Sequence, residues 1–341
     1  MAKLFSEFKL KDMTLKNRIV MAPMCMYTAD NDGNPNDWHY THYTSRAVGG
    51  TGLIIVEATG VESRGRITDG DIGIWNDGHV EGLKRIVDGC HSNGSKIAIQ
   101  LGHAGRKSEV LSEPCIAPSA IAFSDDYRTP VEMTKDDIDK VVQAFKEGAR
   151  RANEAGFDAI EVHGAHGYLI NQFLSPLTNH RTDEYGGDEV GRVLFLKEIL
   201  QAIQTVWPKE KPLILRVSAE EFSEDGNHAS DLASIINSLK DEGIDLVNVS
   251  TGGVINAGTN TYPGYQVKAA EIIRDQTNLP VIAGGLITSP LMAEEIVQNE
   301  RADLIFLGRE LLRNPYWPLE AAKELREDIE WPKQYVRGKL F

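Results

Sequence analysis

Short apolar segments alternate with longer amphipathic segments along almost the whole chain. Eight of the apolar segments have the length and composition expected of strands, and they span residues 18–24, 52–58, 96–101, 159–163, 213–218, 246–250, 281–284 and 304–307. Their residues are almost continuously apolar, which is typical of parallel strands that helices cover. The pattern therefore predicts a parallel sheet whose strands are separated by helices.

The amphipathic segments between these strands have the period of helices. They span residues 80–93, 135–155, 192–206, 231–241, 267–275 and 293–298, and glycines follow several of their ends. Eight strand–helix units predict an α/β fold, a (β/α)8 TIM barrel that forms a single domain over residues 1–341. The alternative is a doubly wound sheet, but the first predicted strand lacks the glycine-rich turn of the dinucleotide-binding motif.

In such a barrel the active site lies at the carboxyl ends of the strands. The polar or reactive side chains that follow the predicted strands are Cys25, Tyr27, Glu57, Thr59, Gln100, His103, His163, His166, Arg216, Ser250, Thr251 and Arg309. The strand interiors stay apolar. We therefore expect a site at this rim. Two connections, residues 102–133 and 164–191, are longer than linkage requires and are expected to contribute to function.

His163, His166 and Tyr168 form the most informative motif. By the period of two, Glu161 and His163 of the fourth strand should point into the barrel, and the chain then turns at Gly164. Two imidazoles and a phenol can bind a metal, act as a base, or donate hydrogen bonds to a developing oxyanion while the phenol delivers a proton. No further ligand set of known spacing accompanies them, so no metal is expected. The alternative is that the two histidines only make hydrogen bonds within a loop and have no role in catalysis.

Cationic and glycine-rich positions end four other strands. Arg216 and Gln100 offer hydrogen-bond donors to a polar heterocycle or an anion, although an ion pair between Arg216 and a nearby glutamate is the alternative. Gly285 follows the seventh strand, and Gly308 and Arg309 follow the eighth. The loops at these two places often bind phosphate in barrels, and tight turns into the next helix are the alternative.

Charge narrows the classes of partner. The chain has 36 Lys and Arg against 50 Asp and Glu, a formal net charge of −14. This balance argues against nucleic acid and anionic membranes as partners, since both favour a basic surface. It leaves room for a small anionic ligand, because a few local arginines can outweigh the overall charge.

Location and redox compartment follow from what the sequence lacks. No apolar segment approaches the ~18 residues of a membrane span, and the N-terminal residues have no apolar signal region, so we expect a cytoplasmic protein. The three cysteines, Cys25, Cys90 and Cys115, fit a reducing compartment. They are too few to ligate an iron–sulfur cluster.

The motifs together resemble the Old Yellow Enzyme family of flavin-dependent ene-reductases. The resemblance covers about residues 3–338 and is carried by residues 17–24 (NRIVMAPM), 100–106 (QLGHAGR), 163–176 (HGAHGYLINQFLSP) and 179–187 (NHRTDEYGG). Cys25, Tyr27 and residues 334–338 (QYVRG) are similar to the bacterial thermophilic-like subclass, whose members are NADPH dehydrogenases. The larger iron–sulfur relatives are not expected, because the cluster cysteines are absent.

The resemblance implies a role for each rim residue. The residues implied to contact the FMN ring are Ala22, Pro23, Met24, Cys25, Ala58 and Gln100, with Arg216 beside its pyrimidine edge. Those implied to hold the phosphate are Ser250, Gly285, Gly308 and Arg309. Those implied to meet substrate are His163 and His166 at the carbonyl oxygen, Tyr168 as proton donor and Tyr27 as a cap. Arg337 is implied to reach a neighbour's site from a tail, residues 331–341, in a homo-oligomer, either a dimer or a tetramer.

The implied activity is a two-stage oxidoreduction. NADPH reduces the FMN, which then reduces the activated C=C bond of an α,β-unsaturated aldehyde or ketone. Nitro compounds and nitrate esters are further implied substrates. The implied biological role is detoxification. Two other interpretations stay open. One is a flavin-binding redox sensor that uses Cys25, and the other is a barrel lyase or aldolase, which would need a strand-end lysine or a metal.

Overall fold

The computed structural model describes residues 2–339. Its centre is a closed barrel of eight parallel strands. The strands are β1 (Ile19–Met21), β2 (Leu53–Gly60), β3 (Lys96–Gly102), β4 (Ala159–Gly164), β5 (Leu213–Ser218), β6 (Leu246–Ser250), β7 (Val281–Ala283) and β8 (Leu304–Leu307). They follow one another in chain order around the barrel, and β8 pairs with β1 to close it. The predicted (β/α)8 fold is confirmed.

Helices connect the strands on the outside of the barrel. The helices are α1 (Asp37–Val48), α2 (His79–His91), α3 (Lys135–Glu154), α4 (Leu169–Leu174), α5 (Glu189–Gln204), α6 (Ala229–Ser238), α7 (Val267–Thr277), α8 (Pro290–Gln298), α9 (Arg309–Arg313) and α10 (Trp317–Glu324). Within residues 2–339, no helix combines the length and the apolar character that a membrane crossing needs.

The first predicted strand is shorter than expected. Strand β1 ends at Met21, and residues 22–27 leave the sheet as an irregular loop. Pro23 has no backbone N–H to donate to a ladder, which is a physical reason for the chain to leave the sheet here. This loop lies at the active-site end of the barrel, so the shortening exposes Pro23, Met24 and Cys25 at the rim.

The barrel interior is apolar at its amino end and polar at its carboxyl end. Inward side chains of the strands pack into one apolar cluster with Met13 and Leu15. These two residues belong to an antiparallel hairpin, Phe8–Leu10 with Met13–Leu15, which covers the amino end. Two residues further along their strands, Gln100, Glu161 and Asn248 replace the apolar side chains. The polar residues at the carboxyl end therefore lie directly above an apolar layer inside the barrel.

Candidate active site

A cavity of about 220 Å³ opens at the carboxyl ends of β1, β5, β6, β7 and β8. Eight of the residues predicted to bind a cofactor line it: Ala22, Pro23, Met24, Arg216, Ser250, Gly285, Gly308 and Arg309. It also contains residues that the sequence did not single out: Tyr265, Gln266, Phe306 and Arg313. Residues that are far apart in the chain therefore form one concave surface.

Arg216 is the buried cation of this cavity. Its side chain is almost fully buried, and its Nε has no hydrogen-bond partner within residues 2–339. Glu161 lies nearby, yet its two oxygens accept from Gln100 Nε2 at 2.7 Å and from Asn248 Nδ2 at 2.6 Å. Burial lowers the pKa of Arg216, and the charge of Glu161 opposes that effect. A buried guanidinium with a free N–H calls for an anionic or hydrogen-bond-accepting ligand.

The backbone at the far side of the cavity is open because of glycine. Gly285 has φ +100°, a conformation that disfavours any side chain. A Cβ at this position would lie 2.9 Å from the ring of Tyr265. Exposed Arg309 adjoins the cavity next to Gly308. The orphaned Arg216 N–H, the glycine-lined wall and the second arginine fit a phosphate-bearing heterocyclic cofactor such as FMN.

His163, His166 and Tyr168 lie together beside this cavity. The centre of the His163 ring lies 5.1 Å from the centre of the His166 ring and 5.0 Å from the centre of the Tyr168 ring, and both contacts are edge-to-face. Burial, reinforced by Arg216 and Lys107, lowers the pKa of both histidines well below its usual value. Both imidazoles are therefore neutral at physiological pH, each with one N–H to donate.

Hydrogen bonds orient the two imidazoles. Nδ1 of His163 accepts from the N–H of Ala165 at 3.3 Å, so Nε2 of His163 carries the proton. Oγ of Ser250 accepts from Gln266 Nε2 at 3.1 Å and can donate to Nε2 of His166 at 2.7 Å, which leaves the Nδ1–H of His166 for a ligand. Ser250 therefore connects the cavity with the histidine pair, a contact beyond the phosphate role implied by the resemblance.

Lys107 holds the loop that presents His166. His166 has φ +59°, and its N–H donates to Ser218 Oγ at 2.8 Å. Lys107 Nζ donates to the carbonyls of His166 at 3.0 Å and Gly253 at 3.3 Å, and it lies 5.2 Å from the centre of the Tyr168 ring. Burial, together with Arg106, lowers the pKa of Lys107 to about 8. No sequence pattern indicated this contact, because it joins three separate loops.

Cys25, Tyr27 and Ala58 form the opposite part of the rim. Burial, together with the nearby Asp71 and Glu57, raises the pKa of Cys25 well above its usual value, so the thiol keeps its proton. The Ala58 N–H and the Tyr27 side chain lie beside its sulfur and partly oppose this shift of the Cys25 pKa. Tyr27 is 53% exposed and can contact a ligand above the rim. Ala58 lines a small pocket with His163 and Tyr168.

Gln100 and Arg337 occupy different settings. Gln100 is buried in the barrel and orients Glu161 through its amide group. Arg337 is exposed in the short helical turn Val336–Gly338, outside the cavity formed by its own chain. The structure thus brings the predicted residues of the barrel rim together but leaves Arg337 apart from them.

Known proteins resemble this chain over almost its whole length. Residues 3–328 match the NADH:flavin oxidoreductase / NADH oxidase family. An NADPH dehydrogenase of Clostridium acetobutylicum is 56% identical over 337 residues, 98% of this chain and 99% of the relative.

Two solved structures share the fold. An old yellow enzyme homologue from Zymomonas mobilis has a TM-score of 0.82 at 28% identity, covering 99% of each chain. A 2-naphthoyl-CoA reductase has a TM-score of 0.90 at 26% identity, and the match covers 94% of this chain. It covers 52% of the reductase, which is the larger protein. The chain therefore belongs to the NADH:flavin oxidoreductase / NADH oxidase family.

Proposed function

We propose that the chain binds FMN, oxidises NADPH and reduces the activated C=C bond of α,β-unsaturated aldehydes and ketones in a ping-pong reaction. The observation that carries the proposal is the meeting, at one rim, of the Arg216 cavity with two neutral histidines and Tyr168. The relative named NADPH dehydrogenase supports the choice of NADPH as reductant. Nitro compounds and nitrate esters have the same kind of acceptor oxygen and are further candidate substrates.

The residues that would hold FMN are those of the cavity and its edge. The buried Arg216 would face the heterocycle, while Gly285, Gly308 and Arg309 would receive the phosphate. Pro23, Met24, Cys25, Ala58 and Gln100 would adjoin the ring. When bound, FMN supplies the hydride-transfer chemistry that no amino-acid side chain possesses.

The histidine pair would bind the carbonyl oxygen of the substrate. Each neutral imidazole donates one N–H, and burial, reinforced by the charges of Arg216 and Lys107, keeps both rings from becoming protonated. Negative charge develops on the carbonyl oxygen as the β-carbon is reduced, so hydrogen bonds placed there stabilise the transition state more than the ground state. Preorganised donors of this kind contribute about 10²–10³ in rate.

Tyr168 would deliver a proton to the α-carbon. Burial raises the pKa of Tyr168 well above its usual value, so the phenol is protonated throughout the physiological range. The Tyr168 ring contacts the ring of His163. A substrate whose carbonyl oxygen is bound by His163 would therefore also lie within reach of the Tyr168 hydroxyl. Tyr27 would cap the substrate from the opposite side.

The C-terminal segment supports assembly as a homo-oligomer. Tyr335 and Val336 expose 41% and 52% of their surface, and exposed Arg337 follows them. We propose that this tail, residues 331–341, brings Arg337 to the substrate site of a neighbouring subunit in a dimer or tetramer. Residues 340–341 of the tail lie outside the described residues. We further propose that the assembly acts in the cytoplasm and detoxifies electrophilic alkenes.

The two alternative functions are less well supported. A redox sensor needs a reactive thiolate, whereas burial and two neighbouring carboxyl groups keep Cys25 protonated. A Schiff-base lyase needs a free amine at the rim, whereas the Lys107 amine is held by two carbonyl oxygens. The site therefore favours a flavin oxidoreductase.

Flavin binding and turnover test the proposal directly. The protein is supplied with FMN, desalted and assayed for bound flavin, and NADPH oxidation is then followed anaerobically with and without 2-cyclohexenone. We expect one flavin per chain and enone-dependent NADPH oxidation. Replacing His163→Ala together with His166→Ala should keep the flavin and slow enone reduction at least about 100-fold.

The matched control is His228→Ala, which removes an exposed histidine paired with Glu220. It should leave the rate unchanged. A protein that binds no flavin would refute the proposed function, and full enone activity in the double variant would refute the role of the histidine pair.

A further inference from the structure

An acidic cluster lies at the rim beside the cavity, and its two carboxyl groups have no part in the proposed reaction. It consists of Cys25 in the loop after β1, Glu57 in β2 and Asp71 in the loop after β2. One ligand atom from each residue lies within 4.8 Å of the other two. Glu57 is 0% exposed and Asp71 is 1% exposed, so the two carboxyl groups are dehydrated, while half-buried Cys25 lies at the edge of the cluster.

The hydrogen-bond donors of the cluster are uncharged. Arg66 acts on Asp71 through its charge, but its guanidinium bonds to Ser63, Asn31 and Asp69. Glu57 accepts from the Met26 N–H at 2.7 Å and from the Tyr43 hydroxyl at 2.9 Å. Asp71 accepts from two backbone N–H groups through Oδ2, at 2.6 and 2.9 Å. Its Oδ1 is buried and has no partner in the described part of the chain. An unpartnered buried carboxylate oxygen beside another carboxyl group and a thiol is costly unless a cation or proton joins it.

The surroundings of Glu57 match those of a metal-binding carboxylate. Tyr43 donates to Glu57 Oε1, and Nε2 of buried His39 lies 3.6 Å from the same oxygen. At that distance the His39 imidazole lies against Glu57 without a hydrogen bond. A supporting hydrogen bond such as the one from Tyr43 orients the ligands of metal sites. Each oxygen of Glu57 retains a lone pair for a cation.

The mixture of donor atoms selects the type of metal. One sulfur and carboxylate oxygens in a three-residue set suit Zn²⁺, which binds sulfur at ~2.3 Å and carboxylate oxygen at ~2.0–2.2 Å. Mg²⁺ and Ca²⁺ prefer sites made only of oxygen with six or more ligands. Any of these separations that approaches 4.8 Å would close by a side-chain movement of about 1 Å, since the ligand atoms of a tetrahedral site lie closer together than that.

We propose that Cys25, Glu57 and Asp71 form a binding site for Zn²⁺ or a similar borderline-soft divalent cation, with water as the fourth ligand. On binding, the Cys25 thiol and the Glu57 carboxyl release their protons to solvent, and bonds form from the metal to the sulfur and the carboxylate oxygens without a change of oxidation state. The site adjoins the loop that carries Pro23 and Met24 of the cavity. Occupation therefore couples divalent metal to the flavin-binding rim.

Cobalt titration of the protein as purified tests the proposal. After treatment with EDTA and dialysis, Co²⁺ is added and the ligand-field absorption of tetrahedral cobalt is followed at wavelengths longer than flavin absorption. We expect stoichiometric development of these bands, one Co²⁺ per chain, and their loss on addition of Zn²⁺. No such bands at a Co²⁺ excess would overturn the proposal.

Matched variants identify the ligands. Cys25→Ser should weaken Co²⁺ binding by at least about 100-fold, because losing even a supporting group of a metal site typically costs 10–100-fold. Asp71→Asn keeps the shape of the side chain and should weaken binding at least about 10-fold. Cys90→Ser, which alters a buried cysteine of α2, should change nothing. Equal Co²⁺ affinity in Cys25→Ser and in the unaltered chain would also overturn the proposal.

Discussion

The rim of the barrel holds two clusters of different chemistry, a cationic cavity and a group of acidic side chains. The Arg216 cavity contains three arginines and one carboxylate, Glu310, which pairs with Arg313 at 2.5 Å. The Cys25–Glu57–Asp71 cluster contains acidic groups and no lysine or arginine. In each cluster one polar atom is buried without a partner in residues 2–339, Nε of Arg216 and Oδ1 of Asp71.

The difference shows how the same physical argument leads to two ligands. A protein rarely buries a polar atom without a partner, so an orphaned donor indicates an acceptor and an orphaned acceptor indicates a cation or a proton. Residues 23–25 connect the clusters, because Pro23 and Met24 line the cavity while Cys25 belongs to the acidic cluster. Substitutions on each side should therefore separate the two roles.

The largest expected effect follows loss of the buried cation. Arg216→Met should raise the dissociation constant of FMN about 100-fold, because a charge-assisted hydrogen bond to a buried ligand is worth up to about 3 kcal/mol. Fluorescence titration of the flavin-free protein measures this constant, and thermal unfolding checks that the variant is folded. An unchanged FMN affinity in a folded variant would remove Arg216 from the flavin site.

A smaller effect is expected from the exposed arginine of the same cavity. Arg309→Ala should weaken FMN about 5-fold, because solvent screens an exposed charge and limits its contribution to about 1 kcal/mol. The same fluorescence titration provides the comparison. If Arg309→Ala weakened FMN more than Arg216→Met did, burial would not be what makes the cavity selective for the cofactor.

A different kind of effect, a pH dependence of stability, is expected on the acidic side. Burial raises the pKa of Glu57 to about 8, whereas the unfolded chain ionises it near 4.5. The folded protein therefore holds a proton that the unfolded chain has lost, and the resulting stability is lost as pH rises from about 4.5 through 8. Glu57→Gln cannot titrate. Its melting temperature relative to the unaltered protein should rise by about 5 °C between pH 5 and pH 8.

Calorimetry at a series of pH values with EDTA present measures this difference. Asp71 and Cys25 titrate in both proteins, so to first order their contributions cancel in the comparison. A melting-temperature difference that stayed constant with pH would mean that Glu57 is ionised in the folded protein.

The sequence predicted the barrel well because its strands are short, apolar and regularly spaced. The strict alternation of side chains along β4 is also sufficient to place Glu161 inside the barrel, where it meets Gln100 and Asn248. Helix α1 was missed, since its segment is rich in aromatic, β-branched and histidine residues that form helices weakly on their own. Its stability comes from packing and from the cap at Asn36.

The acidic cluster could not have been predicted, because it depends on a local irregularity. By alternation Glu57 should point into the barrel, two residues after Ile55. The pairing of β2 with β3 shifts between Val56 and Ala58, so Ala58 takes the inward position opposite Gln100. Glu57 instead bonds to Tyr43 of α1. Neither this shift nor the contacts of Lys107 across three loops leaves a pattern in the sequence.

The proposed enzyme works in two half-reactions, reduction by NADPH and oxidation by the enone. Tyr168 acts only in the second. Rapid mixing of the flavin-loaded Tyr168→Phe variant with NADPH, and then of its reduced form with 2-cyclohexenone, measures the two rates separately. We expect the first rate to stay within about 3-fold of the unaltered enzyme and the second to fall about 10²–10⁴-fold, the usual contribution of a general acid. Equal slowing of both rates, or an unchanged second rate, would contradict the assignment of Tyr168 as the proton donor.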